Sequence, residues 1–133
     1  MKKPQFITAT LCLALLAACS SKEEVKQEEL ALQAAKTYYD QLLQGDCDSF
    51  LEGTLQGDSL PPAYRDQLLL NTQMYLEKQR KNHGGISEVR TLSAKMDNAK
   101  QEVEAFLSVV YADSTKERIL VPMLKKDGIW YMR

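Results

Sequence analysis

Between Glu24 and Leu43 apolar side chains recur every three or four residues. Leu32, Ala35, Tyr39 and Leu42 share one face, and Gln33, Lys36 and Asp40 lie largely outside it. That spacing predicts an amphipathic helix. Gly45 supplies its C-terminal cap, and Asp46 can accept an orphan N–H at the start of a second, shorter helix through Cys47, Phe50 and Leu51. Gly53 and Gly57 are expected to loosen the chain before Pro61-Pro62, which suits the first turn of a third helix reaching about Asn82. Within it Tyr64, Leu68 and Tyr75 fall at helical spacing, with Leu69 and Leu76 beside them. Lys78, Arg80 and Lys81 crowd the last turn, where cations offset the helix dipole, and Gly84-Gly85 ends the segment.

Beyond Gly85 the period changes to two. Val103, Ala105, Leu107, Val109 and Tyr111 alternate with Glu102, Glu104, Phe106, Ser108 and Val110, the pattern of a strand with two unlike faces. Four strands are expected: Ile86 to Met96, Gln101 to Tyr111, Lys116 to Lys126 and Ile129 to Arg133. The breaks at Asp97-Asn98, Asp113-Ser114 and Asp127-Gly128 are too short for a crossover, so neighbouring strands are antiparallel. Asp127-Gly128 has the chemistry of a two-residue hairpin turn. Pro122 then falls opposite Arg133, near the strand end, where a missing ladder N–H does little harm.

Three N-terminal helices followed by a four-stranded antiparallel meander make an α+β domain. Ala34-Ala35-Lys36-Thr37-Tyr38-Tyr39 followed by Gly45-Asp46, together with the ending Leu124-Lys125-Lys126-Asp127-Gly128-Ile129-Trp130-Tyr131, resembles the nuclear-transport-factor-2-like superfamily. Within it the chain resembles the small bacterial lipoprotein domains of the lumazine-binding-like or unknown-function type. The resemblance covers residues 26 to 133 and implies a curved sheet wrapped on the helices like a cone. It also implies that any catalysis would use Asp, His or Tyr projecting into that cone.

The chain's start carries a different message. Lys2 and Lys3 precede an apolar run from Phe6, which ends in Leu16-Ala17-Ala18-Cys19. The run is too short to span a membrane as a helix, and it has the build of a secretory signal. The tetrapeptide resembles a bacterial lipobox. Such a signal, residues 1 to 18, is cut before a cysteine that carries the lipid as a thioether, leaving Cys19 as the first mature residue and residues 19 to 25 as a lipidated tether. Acyl chains at ~0.8 kcal/mol per buried CH₂ make the anchor effectively permanent. Ser20 replaces the aspartate that retains many such proteins at the inner membrane, which points to the outer membrane. Lys22-Glu23-Glu24 resembles a surface-export tag, and it equally fits a solvated tether leading into a helix.

Composition narrows the function classes. Of 133 residues, loss of the first 18 leaves 115, enough for one small core. Lys2 and Lys3 leave with the signal, so 15 basic and 18 acidic side chains remain, a formal charge of −3. That balance argues against a nucleic-acid surface. Cys12 is lost and Cys19 lipidated, so Cys47 stands alone as a small buried hydrophobe, with no disulfide framework. One histidine and one free cysteine do not build a metal centre or a triad, and no cofactor is called for. His83 reads as a last-turn cation or a solvent-exposed loop residue. Glu102, Glu104, Lys125 and Lys126 read as solvated, Asp46 as a cap, and Asp40 as one more carboxylate near the first helix end. Tyr38, Tyr39, Tyr64, Tyr75, Tyr111 and Tyr131 are core residues first and pocket hydroxyls second.

These readings describe a lipid-anchored envelope protein whose domain binds a ligand or a protein without catalysis. A small cofactor-free lyase or isomerase using a carboxylate or Tyr in the cone is the enzyme alternative, and an interaction module with a filled cone is the structural one. A tyrosine-lined pocket with a dry carboxylate would favour the enzyme. If Val103 through Tyr111 face the helices, Phe106 and Val110 face away, with Leu120 or Val121 beside them. Such an apolar patch is a candidate interface for a homodimer or an envelope partner, unless a segment of the same chain covers it. For the anchor, mass spectrometry of the mature N-terminus should find diacylglyceryl-Cys19, and Cys19→Ala should abolish both the lipid and that cleavage; an unmodified Cys19 would refute the lipobox reading.

Overall fold

The computed structural model describes residues 3–133, with side chains described from Lys22 onward except at Asp58. The chain folds as α1 (Lys3–Leu43), α2 (Cys47–Glu52), a 3-10 turn (Gly57–Ser59), α3 (Pro62–His83), β1 (Ile86–Asp97), β2 (Glu102–Tyr111), β3 (Lys116–Lys126) and β4 (Ile129–Met132). Three helices pack on one sheet of order β1-β2-β3-β4, antiparallel throughout, as the hydrophobic pattern predicts. Cys19 and the signal lie outside the described side chains. No helix among the described residues is long and apolar enough to cross a membrane.

The local chemistry of the caps and turns explains the boundaries. Asp46 Oδ1 accepts from Ser49 N at 3.2 Å and caps α2. Gly84, at φ 77°, closes α3 by donating to Arg80 O, one residue later than the predicted end. Asp127 and Gly128 both have positive φ, at 52° and 81°, as a type I′ hairpin requires. Gln101 is also left-handed, at φ 54°, which delays the start of β2 to Glu102. Arg133 N donates to Pro122 O at 2.9 Å. Since a residue's N and O point to the same side of a strand, the donor that Pro122 lacks would face the carbonyl of Arg133.

The core is the inner face of the sheet against α1. Val103, Ala105, Leu107, Val121, Met123, Trp130 and Met132 are buried together with Ala31 and Ala35. Ala31 is the position the spacing argument overlooked, whereas Leu32 is only half-buried. The outcome for α3 differs more: none of its residues is buried, and Tyr64 is 54% exposed. Its apolar face lies over a cavity and solvent instead of a filled core. β1 carries an irregularity between Thr91 and Ser93 that leaves Leu92 outside the ladder and half exposed. Bulges of this kind bend a strand and increase its twist, and they mark where β1 curves.

Two glycines are constrained where flexibility was expected. A Cβ on Gly53 would stand 2.4 Å from the Tyr38 ring, and one on Gly57 would stand 2.5 Å from Leu51 O. Both are sites of close approach. Gly53 also accepts from Met132 N, and Leu55 N donates to Met132 O, each at 2.8 Å, so this segment covers the open edge of β4. Glu102 is likewise not solvated. It is buried on the outer face, with Oε1 2.9 Å from Arg133 Nη1, because a buried carboxylate needs a partner.

Trp130 joins these layers. The Tyr38 hydroxyl donates to its carbonyl at 2.7 Å, while its own Nε1 is buried without a partner among the described residues. The indole is therefore held by packing alone. Trp130→Ala should cost ~3–5 kcal/mol in urea unfolding, whereas Trp130→Phe, which loses no hydrogen bond, should cost only ~1–2 kcal/mol. Equal costs for the two would show that packing is not what holds the ring.

Candidate functional site

At the C-terminal half of α1 the inner side chains become large. Tyr39 and Leu42 there, Phe50 from α2, Leu68, Asn71, Thr72 and Tyr75 from α3, and Ile119 from β3 line a solvent-open cavity of about 360 Å³. Tyr39 and Phe50 meet edge to face, with ring centroids 5.2 Å apart. This mutual support keeps both rings from collapsing inward. Thr72 Oγ1 donates to Leu68 O at 2.8 Å, so its hydroxyl is already committed to its own helix. A wider cleft of about 470 Å³ lies between Lys36 and Asp40 of α1 and residues 87–91 of β1, but the Lys36–Asp40 ion pair already occupies those charges.

Beside the cavity, next to Tyr39 and Tyr75 of its lining, lies a polar cluster. The Tyr111 hydroxyl donates to Glu117 Oε2 at 2.7 Å, with the Tyr75 hydroxyl close by. Glu117 is paired in register with buried Val109, as Ile119 is with buried Leu107, so both belong to the face turned toward the helices. Burial, the neighbouring Tyr75 and the Glu117 charge push Tyr39 up to about 12. Burial and the hydrogen bond to Glu117 raise Tyr111 further. Each phenol stays protonated near neutral pH and can offer an O–H or accept through oxygen, but neither is a ready base. Glu117 itself is exposed and so is not the dry carboxylate a cone enzyme would need.

Behind Tyr111 stands His83. Its ring stacks on Tyr111 with centroids 4.4 Å apart, and Nδ1 is 2.8 Å from Asp113 Oδ2. Thr115 Oγ1 donates to Asp113 Oδ1 at 2.6 Å. His83 therefore pins the end of α3 to the β2–β3 turn and is neither a simple last-turn cation nor a free loop residue. Cys47 is buried as expected, and burial with Asp48 and Asp46 nearby raises its thiol. Among the described residues no cluster of three His, Cys, Asp or Glu could hold a metal ion.

The sequence-predicted surface residues fall elsewhere. Phe106 and Leu120 are direct cross-strand partners on the face away from the helices. Leu120 is half exposed, and Phe106 and Val110 are half-buried. The Arg118 guanidinium lies 4.7 Å from the Phe106 centroid and covers part of that ring. Sequence reading missed the joint placement of Tyr39, Tyr75, Tyr111 and Glu117. The available signal was a carboxylate at an inward position of β3, two residues before Ile119.

No protein-family model matches the chain, and no curated protein does either. Among solved structures, a Campylobacter jejuni protein named as a candidate NTF2-like transpeptidase superposes with a TM-score of 0.59 at 15% identity, over 74% of this chain and 92% of that one. The chain thus has an NTF2-like fold.

The acid limb of stability reports on the His83 clamp. Hydrogen bonds from Thr115 and His83 lower Asp113 from 3.8 to about 2. A carboxylate with a depressed folded-state value stabilises the fold above its unfolded value and loses that contribution as pH falls through the folded one. Stability should therefore decline between pH ~4 and ~2, and Asp113→Asn should flatten that part of the curve. An NMR titration placing the Asp113 carboxyl at its ordinary value would remove the clamp from the account.

Proposed function

We propose that this chain is a lipid-anchored protein of the bacterial envelope whose NTF2-like domain binds a small, mainly apolar molecule without transforming it. The observation that carries the reading is the cavity between α1, α2, α3 and β3, mainly apolar in its lining, with the Tyr111–Glu117 hydrogen bond beside it. Preformed pockets of this size and lining are typical of small-molecule sites. The anchor is supported by Leu16-Ala17-Ala18-Cys19 behind a basic and apolar leader. An outer-membrane address is supported by Ser20 in place of an aspartate.

The chemistry at the cavity favours binding over turnover. Tyr39 and Tyr111 are held protonated, Glu117 is hydrogen-bonded to Tyr111 and open to solvent, and Thr72 is bonded to its own helix. Transpeptidation, which the Campylobacter jejuni neighbour's name suggests for that protein, needs a nucleophile beside a base. The cavity lining of this chain offers no such pair among the described residues.

A neutral probe tests the reading. Among the described residues every core side chain lies between Ala31 and Met132, so residues 22–133 should fold by themselves, as cooperative unfolding would verify. Added 1-hexanol should then shift the methyl NMR signals of Leu42, Leu68 and Ile119. Leu68→Trp, which fills the cavity, should weaken that binding at least about tenfold while cooperative unfolding persists. Shifts scattered over the surface, or none, would overturn the proposal.

A further inference from the structure

We infer that the ligand of this cavity is an amphipathic organic ammonium, with an alkyl or aryl body between α1 and α3 and its cationic head at Glu117. The inference rests on the ligand-binding reading above and adds the sign of the ligand's charge. Three observations lead to it. First, the cavity walls contributed by Leu42, Phe50, Leu68 and Ile119 are hydrocarbon, which selects an apolar body. Second, just outside the lining, two residues before Ile119 on the same strand face, acceptors gather around one negative charge. Tyr111 spends its O–H on Glu117 Oε2, leaving Oε1 and the phenolic oxygens to receive the N–H groups of an ammonium.

Third, that charge has no counter-ion among the described residues. Glu117 enters none of the ion pairs formed among the described residues. The neighbouring His83 lies against the Tyr111 ring and is engaged with Asp113. The cations that flank Glu117 in sequence, Lys116 and Arg118, sit at register positions of the opposite sheet face, and Arg118 covers Phe106 there. An anion approaching this cluster would meet Glu117 and the negative faces of the tyrosine rings. A cation is attracted by both. Because Glu117 is reached from solvent, the head enters without burying the carboxylate, and the expected preference is correspondingly modest.

The experiment compares three probes of one chain length on residues 22–133: hexylammonium, 1-hexanol and heptanoate, each titrated at neutral pH and followed by the Leu42, Leu68 and Ile119 methyl signals. Hexylammonium should bind about five- to tenfold more tightly than 1-hexanol, and heptanoate more weakly than either. Glu117→Gln retains an acceptor for Tyr111 and should bring hexylammonium down to the level of 1-hexanol without changing the latter. If 1-hexanol binds in the cavity and hexylammonium binds no better, the ammonium inference is wrong and the ligand-binding reading stands. If no probe reaches the cavity, both fall. Equal weakening of all three probes by Glu117→Gln would show that the carboxylate only shapes the site, and would overturn the inference as well. The comparison of probes on the wild-type chain does not depend on any variant folding.

Discussion

Ala31 and Ala35 are fully buried where α1 crosses the sheet, against a surface built from Val103, Ala105, Leu107 and Met123. Two methyl side chains one helical turn apart let the helix lie close to the strands, and close-packed interiors leave little tolerance in such a seam. A turn further on, α1 presents Tyr39 and then Leu42, and Phe50 of α2 braces Tyr39 from the side. Small side chains draw one part of the helix onto the sheet and large ones hold the next part away. The cavity is a consequence of that change in size along one helix face.

The position of α3 follows from the same geometry. It buries none of its residues, so it is held chiefly at its ends. Arg65 reaches Asp48 at 3.3 Å and Glu52 at 3.7 Å near the start. At the finish His83 stacks on Tyr111 and meets Asp113. A helix fastened at both ends over an unfilled space covers a pocket without filling it. The same arrangement carries Tyr75, a residue of the cavity lining, to Tyr111 and thereby joins the clamp to the cavity.

The sheet needs its own completion. β4 is four residues long, and its outer edge is met by Gly53 and Leu55 through paired hydrogen bonds to Met132. Covered edges do not recruit foreign strands. The Tyr38 hydroxyl on the Trp130 carbonyl and the Tyr38 ring against Gly53 lock α1, the segment after α2 and the last strand into one unit. On the outer face, the Glu102–Arg133 pair ties β4's end to the start of β2.

Element order, the three-helix-then-meander class, the caps at Asp46 and Gly84 and the Asp127-Gly128 hairpin are all legible in the sequence, because each depends on near neighbours in the chain. Periodicity of two in residues 102–111 assigns the inner face of β2 correctly for the same reason. What it could not decide is which contacts a face meets. Tyr75 and Leu68 have core spacing but border a cavity; Glu102 looks solvated but is paired with a residue 31 positions away; Gly53 looks loose but is pressed against Tyr38. The bulge at Leu92 and the meeting of Tyr39, Tyr75, Tyr111 and Glu117 likewise arise only when four separate elements are brought together. Local patterns encode hydrogen bonding and amphipathicity within an element, whereas burial, charge pairing and empty space are properties of the assembly of elements, so tertiary structure alone determines them.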